Sequence, residues 1–450
     1  MRRWDAQQLA NAAGAQLARD AATVGEGPTV VTIDSRAAGP GTLFVGLPGE
    51  QVDGGTFAAA ALAAGAWGVL IASEHAHAAL SIGVDGAVLT AAEPLDALQL
   101  LASAWRHELG AQVIGVTGST GKTSTKDLLL GLLSPHRVTV ASQANFNTEI
   151  GLPLQILAAP SGTEVLVLEM AMRGTGQIAE LTGIAEPDVG VIVNIGPVHL
   201  ELLGSIEAIA AAKAELIAGL APGATMVVPA GEALLDPHLR SDLETVTFGQ
   251  GGDVRFLSQS ATHVEVDAQG EQIGLDVDFT AAHLRQDLLA AVAAARAIGV
   301  SPGGRLELEL SAGRGQRRPL AGGVTLIDDA YNANPMSMRA ALDALASTPA
   351  KGRRVAVLGD MLELGPTAES YHREIGHYAN GIADVLVTVG PLAAAMADQF
   401  AGESHNAPDA AAAAELLPDL LRSGDVVLVK ASNGVGLRRV CETLTAGAIA

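Results

Sequence analysis

Three near-continuous apolar runs constrain the fold of this chain more than any other feature. They are AQVIGVTG (111–118), TEVLVLEM (163–170) and DVGVIVNIG (188–196). Runs of this kind are typical of strands that are buried on both faces in a parallel sheet. Helical sequences stand between or after them, such as TSTKDLLLGLL (123–133) and IEAIAAAKAELIAGL (206–220). This alternation predicts a doubly wound α/β domain.

Two further regions flank this central part of the chain. Short strand-like runs and an alanine-rich helix occupy residues 25–92, and a polar, β-rich stretch with a long alanine-rich helix closes the central region. After the glycine-spaced segment 311–323, strands and helices alternate again, which is typical of a Rossmann-like unit. We therefore predict three domains: a small N-terminal α/β domain (1–108), a central P-loop ATPase-like domain with a doubly wound parallel sheet (109–312) and a C-terminal Rossmann-like domain (313–450).

Composition excludes several classes of protein. The net charge is −22 and aromatic residues make up 3%, which disfavours nucleic acid as a partner. Charges or glycines interrupt every apolar run before the roughly 18 residues of a membrane span, so we expect no membrane insertion. The start of the chain, MRRWDAQQLANAAG, lacks the apolar stretch of a signal peptide. The single cysteine, Cys441, fits a reducing compartment, so we expect a cytoplasmic protein, and we expect it to be a monomer.

The segment VIGVTGSTGKTS (113–124) resembles a phosphate loop at the end of the first buried strand. The common P-loop pattern has a glycine, four residues and then Gly-Lys-Ser/Thr, but the position of that first glycine is Val116 here. The two glycines of TGSTGKT still allow the backbone to approach phosphate, and the N-terminus of the next helix attracts anions. Lys122 would neutralise the β/γ charge and the Thr123 hydroxyl would hold Mg²⁺. A simple Gly/Ser/Thr turn is the alternative, which the position between a strand and a helix disfavours.

The neighbouring strands end in residues that could extend such a site. Glu169 ends one strand, and Asn194 and His199 follow the next, at the edge of the sheet where ligands bind in α/β proteins. Taken alone, Glu169 could equally be a solvated cap, and a lone histidine is more often structural. Beside a triphosphate site, both become candidate ligands of a second Mg²⁺, where a histidine needs carboxylate company. By its spacing, Lys213 is a solvent-facing lysine; the alternative is a buried amine of lowered pKa that captures CO₂ as a carbamate.

Seven motifs give the chain a family resemblance. They are DSRAAGPGTLFVGLPGEQVDGGTF (34–57), TGSTGKTS (117–124), ANFNTEIGLPL (144–154), VLEMAMRGTGQIAEL (167–181), VNIGPVHLELLGSIEAIAAAKAEL (193–216), IDDAYNANPMSM (327–338) and VLGDMLELG (357–365). On these motifs the chain resembles the Mur ligases over essentially its whole length. YNANP and GDMxELG resemble the branch that adds D-alanyl-D-alanine to a UDP-N-acetylmuramoyl-tripeptide (UDP-MurNAc-tripeptide). The phosphate loop and the His/Lys block are shared with sibling ligases.

The resemblance implies ATP-dependent amide formation in peptidoglycan precursor synthesis, with ATP and Mg²⁺ as cofactors. The terminal carboxylate of UDP-MurNAc-tripeptide would attack the γ-phosphoryl group of ATP and form an acyl phosphate. The amine of D-Ala-D-Ala would then displace phosphate, giving UDP-MurNAc-pentapeptide, ADP and phosphate. The N-terminal domain would bind the UDP-substrate, and the third domain would close over the central one to exclude water. A sibling Mur or folylpolyglutamate-type ligase with another amine acceptor, or a non-catalytic nucleotide-binding paralogue, are the alternatives.

The resemblance also implies roles for individual residues. The ATP site would comprise Thr117, Gly118, Ser119, Thr120, Gly121, Lys122, Thr123, Ser124, Asp287, Arg314 and Asp329. The metal ligands would be Thr123, Glu169, His199 and a carbamylated Lys213, and the catalytic set would be Lys122, Glu169, His199, Lys213 and Arg314. The substrates would contact Ser35, Arg36, Asn145, Asn147, Thr148, Asn332 and Asn334.

The chain departs from the family pattern in four places. Gly55 stands where the family has a histidine, Asp287 where it has an asparagine that meets adenine, and Asn433 where it has an arginine. A family glutamate is also missing in the region of Arg438 and Arg439. An aspartate that offers only acceptors could receive the exocyclic amine of adenine but could not donate to a ring nitrogen. We therefore expect altered contacts at adenine and in the third domain, and unaltered phosphate and metal sites.

Overall fold

The computed structural model describes residues 4–20, 27–143, 145–260, 262–279 and 281–447, so residues 1–3 and residue 144 of the sequences quoted above lie outside the described residues. The first part of the chain contains α1 (Ala6–Ala12), β1 (Gln16–Arg19), β2 (Val30–Thr32), β3 (Thr42–Val45), α2 (Ala58–Ala63), β4 (Gly68–Ala72), α3 (Ala76–Ser81), β5 (Ala87–Ala91) and α4 (Pro94–Leu109). Its sheet has the order β1-β5-β4-β3-β2. Strands β2 to β5 are parallel, and β1 pairs with β5 in the antiparallel sense.

The central part is built on one long sheet. Its elements are β6 (Gln112–Thr117), α5 (Lys122–Leu133), β7 (Thr139–Ala141), α6 (Gly151–Ala158), β8 (Val165–Glu169), α7 (Gln177–Ala185), β9 (Val189–Ile192), α8 (Leu200–Leu203), α9 (Ile206–Gly219), β10 (Thr225–Pro229), β11 (Glu244–Phe248), β12 (Val254–Ser260), β13 (His263–Ala268), β14 (Glu271–Asp276), α10 (Ala282–Ala297) and β15 (Gly304–Arg305). The order is β15-β14-β13-β12-β11-β10-β9-β6-β8-β7. The polar β-rich stretch therefore extends the parallel sheet with the antiparallel strands β12, β13 and β14.

Helix α4 joins the first two sheets into one hydrophobic core. Its buried face, which includes Leu98 and Leu101, belongs to a cluster that contains residues of both sheets, such as Leu43 in β3 and Leu166 in β8. The indole Nε1 of Trp105 donates a hydrogen bond to the carbonyl of Ala159, 3.0 Å away, at the end of α6. A buried indole needs such a partner. The predicted boundary near residue 108 therefore coincides with the end of a helix that packs on both sides.

The C-terminal part forms the third sheet. Its elements are β16 (Gln316–Pro319), β17 (Thr325–Asp328), α11 (Pro335–Ser347), β18 (Arg354–Gly359), α12 (Ala368–Tyr378), β19 (Val385–Val389), α13 (Ala394–Ala397), β20 (Glu403–Ala407), α14 (Ala410–Leu420), β21 (Val426–Lys430) and α15 (Arg438–Ala446). The order is β16-β17-β21-β18-β19-β20, parallel except for the edge strand β16. Helix α12 ends at Tyr378, and Gly381 beyond it has a left-handed φ of 75° that an α-helix cannot contain.

The predicted fold class is confirmed: three α/β units follow one another, each with its own sheet. The exact domain limits stay a prediction. In the part of the chain that the structure describes, no helix combines the length and the apolar character that crossing a bilayer would require.

Candidate active site

A cavity of about 1590 Å³ lies between the central and C-terminal sheets. The phosphate loop, the ends of β8 and β9, and the ends of β17 and β21 contribute to its wall. The predicted site residues that line it are Ser119, Thr120, Gly121, Lys122, Thr123, Ser124, Asn145, Asn147, Thr148, Glu169, His199, Asp287, Arg314, Asp329, Asn332 and Asn334. The carboxyl ends of the parallel strands thus meet at one edge, where an α/β sheet binds its ligands.

The phosphate loop turns sharply between β6 and α5. Val116 is fully buried and the strand continues to Thr117, so the loop starts one residue later than the common P-loop pattern requires. Gly121 has a φ of 76°, and helix α5 begins at the next residue. A side chain at position 121 would also overlap the carboxylate of Asp287, so glycine is required on two grounds. The Lys122 ammonium donates to the carbonyl of Gly118, 2.8 Å away, within the loop.

Asn194, at the end of β9, fixes the middle of this loop. Its Oδ1 accepts a hydrogen bond from the backbone N–H of Thr120 at 2.9 Å, and its Nδ2 donates to the carbonyl and hydroxyl oxygens of Thr120 at 3.2 and 2.9 Å. Ser119 is held in the same way, because its hydroxyl donates to the carbonyl of Gly196 at 3.0 Å. The loop is therefore pre-organised by the neighbouring strand.

Glu169 joins the loop to the end of β8. Its residue is 2% exposed, and its two carboxylate oxygens accept hydrogen bonds from the Thr123 hydroxyl at 2.8 Å and from the Asn147 amide at 2.9 Å. Within the described residues, Glu169 forms no ion pair within 4.0 Å. A buried carboxylate that meets only neutral donors favours a cation at this place.

Lys213 lies on α9 behind this wall and is 2% exposed. The prediction from spacing, that it faces solvent, is therefore wrong. No hydrogen bond or ion pair of its ammonium is found among the described residues. Burial, together with the positive charge of Lys122, lowers the pKa of Lys213 well below its ordinary value. Burial likewise lowers the pKa of Lys122, assisted by the charge of Arg314 and opposed by that of Glu169. Both effects disfavour the charged ammonium of Lys213.

His199 meets a residue of the third sheet. Its Nδ1 forms a hydrogen bond with a carboxylate oxygen of Glu363, which stands in the loop after β18. Burial lowers the pKa of His199, while the hydrogen bond that it donates to the Glu363 carboxylate opposes that shift. The second oxygen of Glu363 lies 3.6 Å from Arg173. Sequence reasoning missed Glu363, although it stands in the quoted GDMLELG motif.

Positive side chains approach the cavity from the third sheet. The guanidinium of Arg314 lies 3.9 Å from the ring centroid of Tyr331, and that of Arg438 lies 5.2 Å from the same ring. Lys430, which is buried, donates to the Asp329 carboxylate at 2.7 Å and to the carbonyl of Asn332 at 2.9 Å. The cavity thus has cationic groups on both of its sides, which suits a polyanionic ligand.

Asp287 lies on α10 against the loop and is 4% exposed. Its Oδ2 is buried and has no hydrogen-bond partner among the described residues. Burial raises the pKa of Asp287 well above its ordinary value. The expectation that this side chain offers acceptors only assumed an ionised carboxyl, whereas a neutral acid carries one donor and one acceptor, as an asparagine amide does.

Five predicted residues do not line the cavity: Thr117, Gly118, Lys213, Ser35 and Arg36. The first three lie beneath the loop or behind the wall. Ser35 and Arg36 form a 3-10 turn soon after β2 in the first sheet, where Arg36 forms an exposed ion pair with Asp34. Asn334 does line the cavity but also caps α11, because its Oδ1 accepts from the N–H of Ser337 at 2.9 Å.

Three family models match successive parts of the chain. "Mur ligase family, catalytic domain" matches residues 28–106, "Mur ligase middle domain" matches 116–295 and "Mur ligase, glutamate ligase domain" matches 313–433. The chain belongs to the Mur ligase family. The resemblance found in the motifs is confirmed.

Curated relatives of this Mur ligase match almost its whole length. UDP-N-acetylmuramoyl-tripeptide–D-alanyl-D-alanine ligases from Synechocystis and from Mycobacterium tuberculosis are 37% and 39% identical to it, each over 92% of both chains. A crystal structure of MurF from Acinetobacter baumannii matches with a TM-score of 0.87 and 28% identity, over 99% of both chains. MurF ligase from Thermotoga maritima, in complex with ADP, matches with a TM-score of 0.78 and 30% identity, over 92% of this chain and 97% of that one.

Three residues that the sequence did not assign to the site share one property: each forms a hydrogen bond with a predicted site residue. Asn194 holds Thr120, Lys430 holds Asp329, and Glu363 holds His199. Asn194 follows a strand that the sequence predicts, Glu363 stands in the motif GDMLELG, and Lys430 stands three residues before Asn433. Which predicted residue each one contacts depends on the packing of separate strands, which spacing along the chain does not reveal.

Proposed function

We propose that this Mur ligase joins D-Ala-D-Ala to UDP-MurNAc-tripeptide with ATP, giving UDP-MurNAc-pentapeptide, ADP and phosphate. The observation that carries the proposal is the hydrogen bond between the buried Glu169 carboxylate and Thr123, in the first turn of the phosphate-loop helix. This hydrogen bond joins the N-terminal end of a helix that can bind phosphate to a buried carboxylate that favours a cation beside it. The names of the relatives from Synechocystis and Mycobacterium tuberculosis, and the ADP in the Thermotoga maritima structure, support the choice of substrates.

The donor set fits Mg²⁺, which prefers oxygen ligands. Thr123 would hold one ion through its hydroxyl, and Glu169, His199 and the carbamate of Lys213 would hold a second. Bound there, the metal would neutralise phosphate charge and bring two anions together. The Glu169 carboxylate, which lacks any ion pair in the described residues, is the feature of this chain that fits such an ion best.

The residues of the chain do the work of binding and alignment. The N-terminal end of α5 and the Lys122 ammonium would receive the phosphates of ATP, and Asn194 keeps the loop in the receiving conformation. Arg314 would reach the γ-phosphoryl group from the third domain, where its guanidinium already faces the cavity. Attack by the peptide carboxylate breaks the bond to ADP and forms the acyl phosphate. Attack by the amine then releases phosphate, and the amine loses its proton.

Lys213 meets both conditions for carbamate formation. It is buried, and the neighbouring charge of Lys122 adds to the effect of burial on its pKa. A neutral amine adds to CO₂ and loses a proton, which produces an anionic carbamate. That anion would compensate the positive charge of Lys122 and offer oxygen to the metal.

The surrounding units supply the other substrate and exclude water. We place UDP binding in residues 1–108, with Ser35 and Arg36, and the ligation step at the seam of the central and C-terminal domains. Asn145, Asn147, Thr148, Asn332 and Asn334 would orient the peptide and the dipeptide there. Asp287 would pair with adenine, and Asp329 would bind the nucleotide from the third domain. These substrates imply a cytoplasmic location.

One assay tests the proposal. Purified protein with ATP, Mg²⁺ and UDP-MurNAc-tripeptide is expected to release phosphate in a D-Ala-D-Ala-dependent manner, with UDP-MurNAc-pentapeptide identified by mass spectrometry. Release that glutamate or a free diamino acid stimulates, and D-Ala-D-Ala does not, would assign the chain to a sibling activity. Nucleotide binding without any acceptor-dependent turnover would identify a non-catalytic paralogue.

A further inference from the structure

The side chain of Glu363, in the C-terminal part of the chain, contacts His199, a candidate metal ligand of the central part. The residue belongs to the loop after β18, whereas His199 follows β9, yet the carboxylate of Glu363 is bonded to Nδ1 of His199. A second contact accompanies the first, because the backbone N–H of Glu201 donates to the carbonyl of Glu363 at 3.2 Å. The junction is therefore made by both backbone and side chain.

The backbone at both ends of this contact is unusual. His199 has a φ of 54° and Glu363 a φ of 63°, and both belong to the few non-glycine residues of the described chain with positive φ. Such conformations cost about 1 kcal/mol or more and persist where the surrounding structure enforces them. They aim the two side chains at each other across the seam.

The direction of the hydrogen bond decides what the imidazole can do. A carboxylate accepts, so Nδ1 of His199 carries the proton and donates it to Glu363. In the neutral imidazole Nε2 then keeps its lone pair, which is the form of histidine that binds a metal. Histidine ligands of metals in proteins commonly donate their other ring N–H to a carboxylate or carbonyl group.

We propose that Glu363 is a positioning residue that completes the metal site of the central domain from the third domain, by holding the His199 imidazole with Nε2 free. The proposal rests on the proposed function only for the identity of the metal. It adds that the metal site is fully assembled only when the third domain lies against the central one. Nε of Arg173 lies 3.6 Å from the other oxygen of Glu363, so its positive charge is next to the oxygen that is not hydrogen-bonded to the imidazole.

Three variants at position 363 distinguish a positioning role of this side chain from a merely structural one. Glu363→Ala removes the acceptor, Glu363→Asp keeps the charge but is one methylene short, and Glu363→Gln keeps an acceptor oxygen at full length. Asp tolerates positive φ better than most residues, so the Asp variant is expected to fold even if the Ala variant does not. Glu369→Ala, an exposed glutamate paired with Arg373 on α12, is the matched control.

The first measurement uses metal-free protein and reads the imidazole of His199 by ¹⁵N NMR, with the signal assigned by its loss in His199→Asn. Wild type and Glu363→Gln are expected to show the tautomer with Nδ1–H, and the Ala and Asp variants a shifted or averaged signal. The second measurement titrates Mn²⁺ in the presence of ADP by EPR. Mn²⁺ affinity is expected to fall about 10- to 100-fold in the Ala and Asp variants and to stay near wild type in the Gln and Glu369→Ala variants.

The outcomes divide cleanly. An unchanged imidazole signal and unchanged Mn²⁺ affinity in Glu363→Asp would overturn the proposal. So would a Gln variant as impaired as the Ala variant, because the role would then be charge rather than orientation. Neither measurement requires D-Ala-D-Ala or turnover, so a chain that failed the ligase assay could still pass both, and the reverse also holds.

Discussion

The imidazole of His75 occupies the space in which a side chain at position 55 would lie. A Cβ atom built on Gly55 would overlap the His75 ring, and Nε2 of that ring is hydrogen-bonded to the Asp53 carboxylate at 2.8 Å. The family's histidine is missing at position 55, yet an imidazole reaches the same place from the turn after β4. Gly55 and His75 are therefore a matched pair, and the first departure from the family pattern has a steric reason.

This pairing predicts non-additive stability. Gly55→Ala is expected to lower the free energy of unfolding by about 1–3 kcal/mol, because the added methyl group overlaps a packed ring. In a His75→Ala background the same change is expected to cost less than half as much. Urea denaturation of the four proteins of the cycle measures both values. Equal costs in the two backgrounds would refute the steric relationship.

We expect the difference in the free energy of unfolding between wild type and Asp287→Asn to depend on pH. Burial raises the pKa of Asp287, so the folded state holds this proton more tightly than the unfolded state, where an aspartate has a pKa of about 3.9. As pH rises from about 4 toward the folded pKa, wild type loses stability that the Asn variant keeps. The loss is about 1.4 kcal/mol for each pH unit of that interval.

Urea denaturation at pH 5 and pH 8 checks this prediction. The stability advantage of Asp287→Asn is expected to be larger at pH 8 than at pH 5. Asp419→Asn, at an exposed aspartate on α14, is the control and is expected to show no such trend. An advantage that does not grow from pH 5 to pH 8 would mean that Asp287 is already ionised in the folded protein at pH 5.

Lys213→Ala is expected to abolish ligation and to regain part of it when short carboxylic acids are added. The acid would place a carboxylate in the space left by the side chain and so replace the carbamate. Phosphate release with and without formate or acetate is the measurement. Lys351→Ala, at an exposed lysine of the third domain, is expected to retain full activity in both conditions. Full activity of Lys213→Ala without added acid would exclude the carbamate.

Asn194→Ala is expected to weaken ATP binding while leaving the fold intact. The variant removes the hydrogen bonds that hold Thr120, each worth about 1 kcal/mol, so the KM for ATP should rise by tenfold or more. The KM for UDP-MurNAc-tripeptide should change little. Asn380→Ala, which removes an amide that bonds Gln399 and Ala401 far along the chain, is the control. An unchanged KM for ATP in Asn194→Ala would show that the loop needs no such support.

The sequence sufficed to predict the elements that carry strong hydrophobic patterns. The strands β6, β8 and β9 lie where the apolar runs stand, because both faces of each are buried. Edge strands were missed: β1, β16 and β20 alternate or expose their side chains and have little apolar content. Their pairing is decided by the neighbouring strand, which a local pattern does not record.

The same division holds for the candidate site. Lys122, Thr123 and Glu169 could be placed because each stands at or soon after the end of a buried strand, at a common edge of the sheet. Glu363, His75 and Lys430 could not be matched to their partners, because each contact joins strand ends that are separate in sequence. The exposure predicted for Lys213 was wrong, although Ile209, Leu216 and Ile217 stand four residues before and three and four residues after it on the same face of α9 and indicate burial.

The chain's one cysteine has a practical consequence. Cys441 is 3% exposed, lies 3.4 Å from the Asp328 carboxylate, and has a pKa that burial raises, so a thiolate is disfavoured there. Maleimide reagents would therefore spare it in the native protein. Pairs of surface cysteines can be introduced in the central and C-terminal units without first removing the native thiol. Fluorescent dyes attached to such pairs would report the distance across the seam during a single catalytic cycle.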